Sequence, residues 1–163
     1  MKIIELRKIS ILDDNIKECI ELEVLPEQKN FVAHNATSLG QAYAKNHYEG
    51  NGAVSYSVHN EDGNMIGFVM YEFVRKEIDD VFGEDCYYFW RLMIDKNHQR
   101  KGYAKQVVKK ILDEVRTKPL GDVPHMYISY EPENTVAKKL YESFGFVETG
   151  QVISGENVAK LLL

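Results

Sequence analysis

Six consecutive residues, Gln99-Arg100-Lys101-Gly102-Tyr103-Ala104, have types and spacing that suit one kind of chemistry. They follow an apolar run ending at Ile94 and enter a helical pattern near Tyr103. The first turn of a helix leaves backbone N–H groups unpaired at the positive end of the helix dipole. Such an end binds anions, and a pyrophosphate suits it. Gly102 removes a side chain where an anion must approach the backbone closely, and Ala104 is small for the same reason. Arg100 and Lys101 add positive charge at the rim. A tight strand-to-helix turn with a solvated basic rim explains the same residues equally well.

Other residues stand out less sharply. Glu72 alternates with Phe68 and Met70, so it shares a face with apolar side chains and breaks their pattern. A strand end emerging into solvent is the plainer account of it. Asn134 suits a helix N-cap. Tyr141 falls four residues after Ala137, on what would be the buried face of a helix. His34, His47, His59, His98 and His125 show no metal-ligand spacing, and Cys19 and Cys86 have no CxxC partner. No metal site is expected.

The elements that must position these residues can be read in order. Residues 3–9 alternate loosely as a first strand. Asp13 or Asp14 can cap a helix with Ile16, Cys19 and Ile20 on one face. Leu25-Pro26-Glu27 breaks it, and a second helix starts near Asn35 with Leu39, Ala42 and Tyr43 inward. Gly50-Asn51-Gly52 is a turn signal. Residues 54–58 and 65–74 read as two strands joined through Glu61-Asp62-Gly63-Asn64. Residues 86–94 are apolar on both faces, as in a central strand. Tyr103, Ala104, Val107, Val108, Ile111, Leu112 and Val115 then recur at helical spacing. Residues 126–130 form a short strand. Asn134 opens a helix with Val136, Ala137, Leu140, Tyr141 and Phe144 inward, and Gly145 suits its left-handed end. The chain returns to strand from Phe146, turning at Gly155-Glu156-Asn157 into residues 158–163. Strand, helix, helix, three strands, helix, strand, helix and two strands make an α/β (α+β) layer fold around one main sheet.

The chain has 163 residues, 44% of them hydrophobic, enough for one domain over 1–163 with its own core. Two cysteines make no disulfide framework and fit a reducing cytoplasm. No window approaches the roughly 18 apolar residues of a membrane span, and the N-terminus lacks a secretion signal, so no membrane association is expected. The net charge of −5, from 25 acids and 20 bases, argues against nucleic acid as a partner and is ordinary for a small domain.

The Gln99 loop closely resembles the pyrophosphate-binding motif of the GNAT superfamily of acyl-CoA-dependent N-acyltransferases, (Gln/Arg)-x-x-Gly-x-(Gly/Ala). Downstream, Asn134, Ala137, Leu140-Tyr141 and Phe144-Gly145-Phe146 resemble that superfamily's Asn-x-x-Ala-x-x-Leu-Tyr-x-x-x-Gly-Phe. Within it, Leu25-Pro26-Glu27-Gln28-Lys29-Asn30-Phe31-Val32, Ser38-Leu39 and Ala42-Tyr43 are similar to text in bacterial spermidine/spermine (diamine) N-acetyltransferases. The resemblance implies a GNAT-like mixed, mostly antiparallel central sheet of about seven strands with about four helices on its faces. It implies acetyl-CoA as co-substrate and a polyamine nitrogen as acceptor. Another amine (an aminoglycoside, a small metabolite or a protein N-terminus) and a non-catalytic CoA-binding module are the alternatives.

Roles follow from the resemblance. The backbone of Met93 and Ile94 would hold the pantetheine arm, and the N–H groups of Gln99, Arg100, Lys101, Gly102, Tyr103 and Ala104 the pyrophosphate. Asn134 would contact CoA, cap its helix, or both. Tyr141 matches the general acid that protonates the leaving thiolate, a role that speaks against a non-catalytic module. Many relatives carry a carboxylate base on the strand before the loop, but here Tyr88, Trp90 and Leu92 share that face. Glu72 is the nearest candidate base, and a water relay serving Glu72, Tyr88 or a substrate-side acid is the alternative. Glu27, Glu72 and Trp90 are candidates for binding an alkylammonium, with Glu21, Glu23, Glu84 and Asp85 behind them. An exposed strand at 158–163 would suit pairing into a homodimer.

Overall fold

Alternating and helical periods partition the chain as expected. A computed structural model describes residues 3–12, 15–50 and 52–163. Among them the strands are β1 (Glu5–Lys8), β2 (Ala53–His59), β3 (Met65–Val74), β4 (Cys86–Ile94), β5 (His125–Tyr130), β6 (Val147–Ile153) and β7 (Glu156–Leu162). The α-helices are α1 (Ile16–Glu21), α2 (Asn35–Ala44), α3 (Tyr103–Val115) and α4 (Thr135–Glu142). The strands form one sheet in the order β1-β2-β3-β4-β5-β7-β6. Every neighbouring pair is antiparallel except β4 and β5. The expected mixed, mostly antiparallel sheet with helices on its faces is what forms.

Each face has its own core. Helices α3 and α4 cover one face, where Val107, Val108, Ile111 and Tyr141 pack on Val69, Tyr71, Phe89 and Ile128. Each buried side chain of this size contributes about 1.5–3 kcal/mol. The other face, under α1 and α2, collects Cys19, Ala42, Phe68, Met70 and Met93. Among the described residues no helix is long and apolar enough to cross a membrane.

The structure differs from the sequence reading at four places. Asp13 and Asp14 lie outside the described residues. The N-cap position of α1 is Asn15, whose side chain instead ties Ser10 N–H (3.0 Å) to the Lys8 carbonyl (3.1 Å). Tyr43 is 63% exposed and stacks on His47, because the buried stripe of α2 is Asn35, Ser38 and Ala42 and Tyr43 falls about 100° beyond it. Val136 is 76% exposed, because the i, i+3, i+4, i+7 stripe of α4 is Ala137, Leu140, Tyr141 and Phe144. The C-terminal strand is not a free edge. Ile128 of β5 and Glu148 of β6 both register with Ala159, so β7 is interior and β6 is the edge.

Candidate active site

The site begins with two irregularities in β4. Its parallel pairing with β5 covers only Tyr87, Phe89 and the residue between, against Met126, Tyr127 and Ile128. Beyond Phe89 the two strands part. On the other side, Met70 registers with Arg91 but Tyr71 with Phe89, so Trp90 is an extra residue, a bulge. The bulge resets which side chains share a face. Tyr88 lies beside Glu72, Arg91 beside Met70 and Met93 beside Phe68, whereas Leu92 lies beside Val69 in the α3 core. The expected common face of Tyr88, Trp90 and Leu92 therefore does not exist.

A cavity of about 350 Å³ occupies the gap between the parted strands. Trp90, Arg91 and Leu92 line it from β4, Ser129 and Tyr130 from β5, and Asn134 and Tyr141 from α4 and its cap. Residues 29–33, joining α1 to α2, form its far wall. Tyr141 sits where α4 meets the sheet. Its ring stacks on Tyr130 (6.2 Å between centroids) and meets Phe89 and Phe146 edge-on. Burial, with a smaller contribution from Tyr88, pushes its phenol well above the ordinary value, so it holds its proton. Asn134 is the N-cap of α4, its Oδ1 accepting from Ala137 N–H at 3.2 Å. The cap uses only the carboxamide oxygen, which leaves the amide donors available.

The Gln99 loop lies further along β4. Arg100 (φ 60°) and Gly102 (φ 82°) are left-handed on either side of Lys101, and Gly102 is the N-cap of α3. This alternation turns successive N–H groups into one concavity, an anion nest at a helix N-terminus. A Cβ at Gly102 would meet no protein atom within 4 Å. The glycine is required by its φ, and the space beside it is open. Arg100 and Lys101 are exposed, while Tyr103 is buried and donates to Glu61 at 3.2 Å.

Met93 and Ile94 prove to have different environments. Asp95 N–H donates to the Ile66 carbonyl at 2.8 Å. Alternate residues of an antiparallel strand point their peptide groups the same way, so those of Met93 also turn to β3. Those of Leu92 and Ile94 turn to the open side. Gln99 Nε2 donates to the Ile94 carbonyl at 2.9 Å and to Gln28 Oε1 at 2.7 Å, and Gln28 Nε2 returns a bond to Gln99 Oε1 at 3.1 Å. The Pro26–Gln28 turn is thereby clasped to the loop. Glu23 N–H to Asp95 (3.1 Å) and Lys96 N–H to the Glu23 carbonyl (2.7 Å) fasten the same segment.

Of the expected substrate-side residues only Trp90 lines the cavity. Glu72 is not at a strand end in solvent: it is 2% exposed and paired with Lys45 at 2.9 Å. Lys45 also lies over the Trp90 ring, 5.3 Å from its centroid. Glu72 does not line the cavity that holds Tyr141. Glu21, Glu23 and Glu27 are exposed. Glu84 accepts from His125 (2.8 Å) and Tyr127 (2.6 Å), and Asp85 from Lys76 N–H (2.8 Å), away from the gap.

The sequence reading missed Glu131 and Glu156, which line the cavity together with Ser129. Ser129 donates to Glu156 and shares a 2.7 Å hydrogen bond with the Tyr88 hydroxyl. Ser129 has one proton and gives it to the carboxylate, so Tyr88 is the donor in the second bond. Burial, with the nearby charge of Glu156 adding to it, pushes the Glu131 carboxyl above its ordinary value. Glu131 follows directly on β5, and only its place beside the parted strands distinguishes it. Among the described residues no group of three or more His, Cys, Asp or Glu side chains is arranged to hold a metal ion.

A sequence model of the acetyltransferase (GNAT) family matches residues 16–146, from α1 to the start of β6. The chain belongs to this family. It is an acyltransferase, and acetyl-CoA is its co-substrate. The open edge of β4, the nest at α3 and the amide of Asn134 offer backbone partners, an anion seat and a donor that fit such a molecule. A spermine/spermidine N(1)-acetyltransferase of Bacillus subtilis (strain 168) is 26% identical over 150 residues, covering 91% of this chain and 93% of the relative. The Vibrio cholerae spermidine N-acetyltransferase, solved with CoA and spermine, superposes with a TM-score of 0.66 at 20% identity, covering 98% and 95% of the two chains. The PaiA N-acetyltransferase of Thermoplasma acidophilum, solved with coenzyme A, gives 0.68 at 13% identity, covering 99% of each. At these identities the solved structures establish the fold.

Proposed function

We propose that the chain acetylates a primary amine of a polyamine such as spermidine or spermine, by direct attack on acetyl-CoA with Tyr141 as general acid. The observation that carries this reading is the cavity in the β4–β5 gap, which Tyr141 lines together with Trp90 and the carboxylates of Glu131 and Glu156. Carboxylates and an aromatic wall suit an alkylammonium. The curated relatives named for spermine and spermidine match almost the whole chain and support the same substrate class.

Acetyl-CoA supplies an activated acyl carbon on a thiol leaving group. The chain's own groups do the rest. The nest of Gln99, Arg100, Lys101, Gly102, Tyr103 and Ala104 seats the pyrophosphate, and Arg100 and Lys101 balance its charge. Peptide groups of Leu92 and Ile94 along the open edge of β4 bind the pantetheine arm, with Asn134 on the opposite wall. Tyr141 keeps its proton until sulfur leaves, then donates it. The proton released from nitrogen as the amide forms restores the phenol. Residues 29–33 close the cavity and limit the water that competes with the amine.

Thiol release from acetyl-CoA, followed over a panel of polyamines, aminoglycosides and peptides, tests the reading. The expected result is a preference for spermine or spermidine. Turnover confined to aminoglycosides or peptides would replace the polyamine with that amine.

A further inference from the structure

The proposed reaction needs a base, and Glu72 is engaged with Lys45 outside the cavity. We infer that Glu131 is the catalytic base that takes the proton of the substrate ammonium inside the β4–β5 gap, and that Glu156, Ser129 and Tyr88 position it. This rests on the amine-acetylation reading above and adds the base to it.

Three observations carry the assignment. Glu131 lines the same cavity as Tyr141, so the base and the general acid face one space. One carboxylate oxygen, Oε2, is buried without any hydrogen-bond partner, and an ammonium entering the cavity would supply the missing donor. The neighbouring carboxylate already has a donor from the protein: Glu156 accepts from Ser129, which accepts from Tyr88, and it lies within hydrogen-bonding reach of Glu131. This chain of bonds holds Glu156 in place beside Glu131, whose own Oε2 has no donor.

The groups around Glu131 pull in both directions. Glu156 from β7 and Glu133 in the following turn oppose its negative charge. Arg91 from β4 favours that charge, and Lys29 lines the cavity from the α1–α2 segment. Tyr88 and Tyr141 are both pushed up and stay neutral. Burial and the neighbouring acids prevail, so the Glu131 carboxyl is held above its ordinary range. A base is most effective when its pKa lies near the working pH, and a free ammonium with a pKa of about 10 needs such a partner.

The protons balance. The ammonium gives one to Glu131, which passes it to water at the cavity mouth. The neutral amine attacks the acyl carbon, a carbon–nitrogen bond forms and the carbon–sulfur bond breaks. Tyr141 protonates the departing sulfur and recovers a proton from the new amide nitrogen. One ammonium and one thioester become one amide, one thiol and one free proton.

The test compares the full-length chain with its Glu131→Gln and Glu156→Gln variants, using the best amine of the panel. Glu131→Gln should lower kcat about 10²-fold at neutral pH and remove the inflection that Glu131 sets in the acid limb. Its residual rate should rise with pH as free amine accumulates, about tenfold per pH unit below the amine's own pKa. Glu156→Gln removes a carboxylate neighbour, lowers the Glu131 pKa and should shift the acid limb to lower pH. A carboxyl ¹³C titration without substrate should place Glu131 above the other glutamates and lower it in Glu156→Gln. An unaltered pH profile in a folded Glu131→Gln variant, or an ordinary Glu131 titration, overturns the assignment. If another amine is turned over and polyamines are not, the substrate class fails and the base is judged on that amine. No turnover of any amine overturns both.

Discussion

Gly102 and Gly150 make a matched pair for testing the Gln99 loop. Their φ values are 82° and 83°, and a Cβ at either would meet no protein atom within 4 Å. Alanine at either position therefore introduces the same strain, roughly 1–2 kcal/mol for a left-handed L-residue, and no clash. At this chain length that lowers Tm by roughly 2–8 °C. The two sites differ in what lies around them. Gly102 caps α3 inside the nest, whereas Gly150 lies in the edge strand β6. If the nest holds the pyrophosphate, the alanine methyl at 102 intrudes on it. Gly102→Ala should then raise the KM for acetyl-CoA about tenfold or more, equivalent to about 1.4 kcal/mol of lost binding. Gly150→Ala should lower Tm equally and leave KM alone. Thiol-release kinetics over a range of acetyl-CoA concentrations, with melting curves on the same samples, measure both quantities. Equal KM values for the two variants would refute the assignment of the loop as an anion seat.

Tyr141→Phe keeps the ring stack on Tyr130 and removes only the hydroxyl, so kcat should fall about 10²-fold with the KM for acetyl-CoA nearly unchanged; full turnover would exclude Tyr141 as the acid. Glu72→Gln removes the nearer charge partner of the buried Lys45 ammonium, leaving the longer contact to Asp79 at 3.8 Å, and should cost about 1–3 kcal/mol in urea unfolding while the pH profile of kcat keeps its shape; a lost acid limb would return Glu72 to the mechanism. Burial raises Tyr56 and Tyr88 to about 12, with Tyr71, Tyr127 and Tyr130 also pushed up. The unfolded chain releases its phenolic protons first, from about pH 10, so stability is intact below that pH and is lost as pH rises through the folded values. Phenolate absorbance should therefore appear cooperatively with loss of helical circular dichroism between pH 10 and 12, and gradual ionisation of an intact fold would contradict the burial argument.

What was legible in the sequence was whatever local pattern determines. The nest needs Gly102 at a helix start, and α3 needs apolar residues at 107, 108, 111, 112 and 115; both are written in consecutive residues. The tests that failed turned on a single residue of phase or on long-range pairing. Tyr43 and Val136 each lie next to a correctly read stripe, and one helical step of about 100° carries them to solvent. The 158–163 strand reads as exposed, yet β5 and β6 enclose it. Nothing within residues 158–163 encodes which strands will flank them.

The base was illegible for a related reason. Strict alternation along β4 predicted a face of Tyr88, Trp90 and Leu92, and that face offered no carboxylate. The extra residue at Trp90 breaks the alternation, and the parallel pairing with β5 ends at Phe89, so the wall of the gap opposite β4 is built by other strands. Two of the residues on that wall, Glu131 and Glu156, lie after β5 and at the start of β7, and they come together only because β7 inserts next to β5. A bulge and an inserted strand are properties of pairing. They move the search for a base from the strand before the loop to the two carboxylates that the parted strands expose, which is why a local pattern can identify the coenzyme loop and miss the group that prepares the amine.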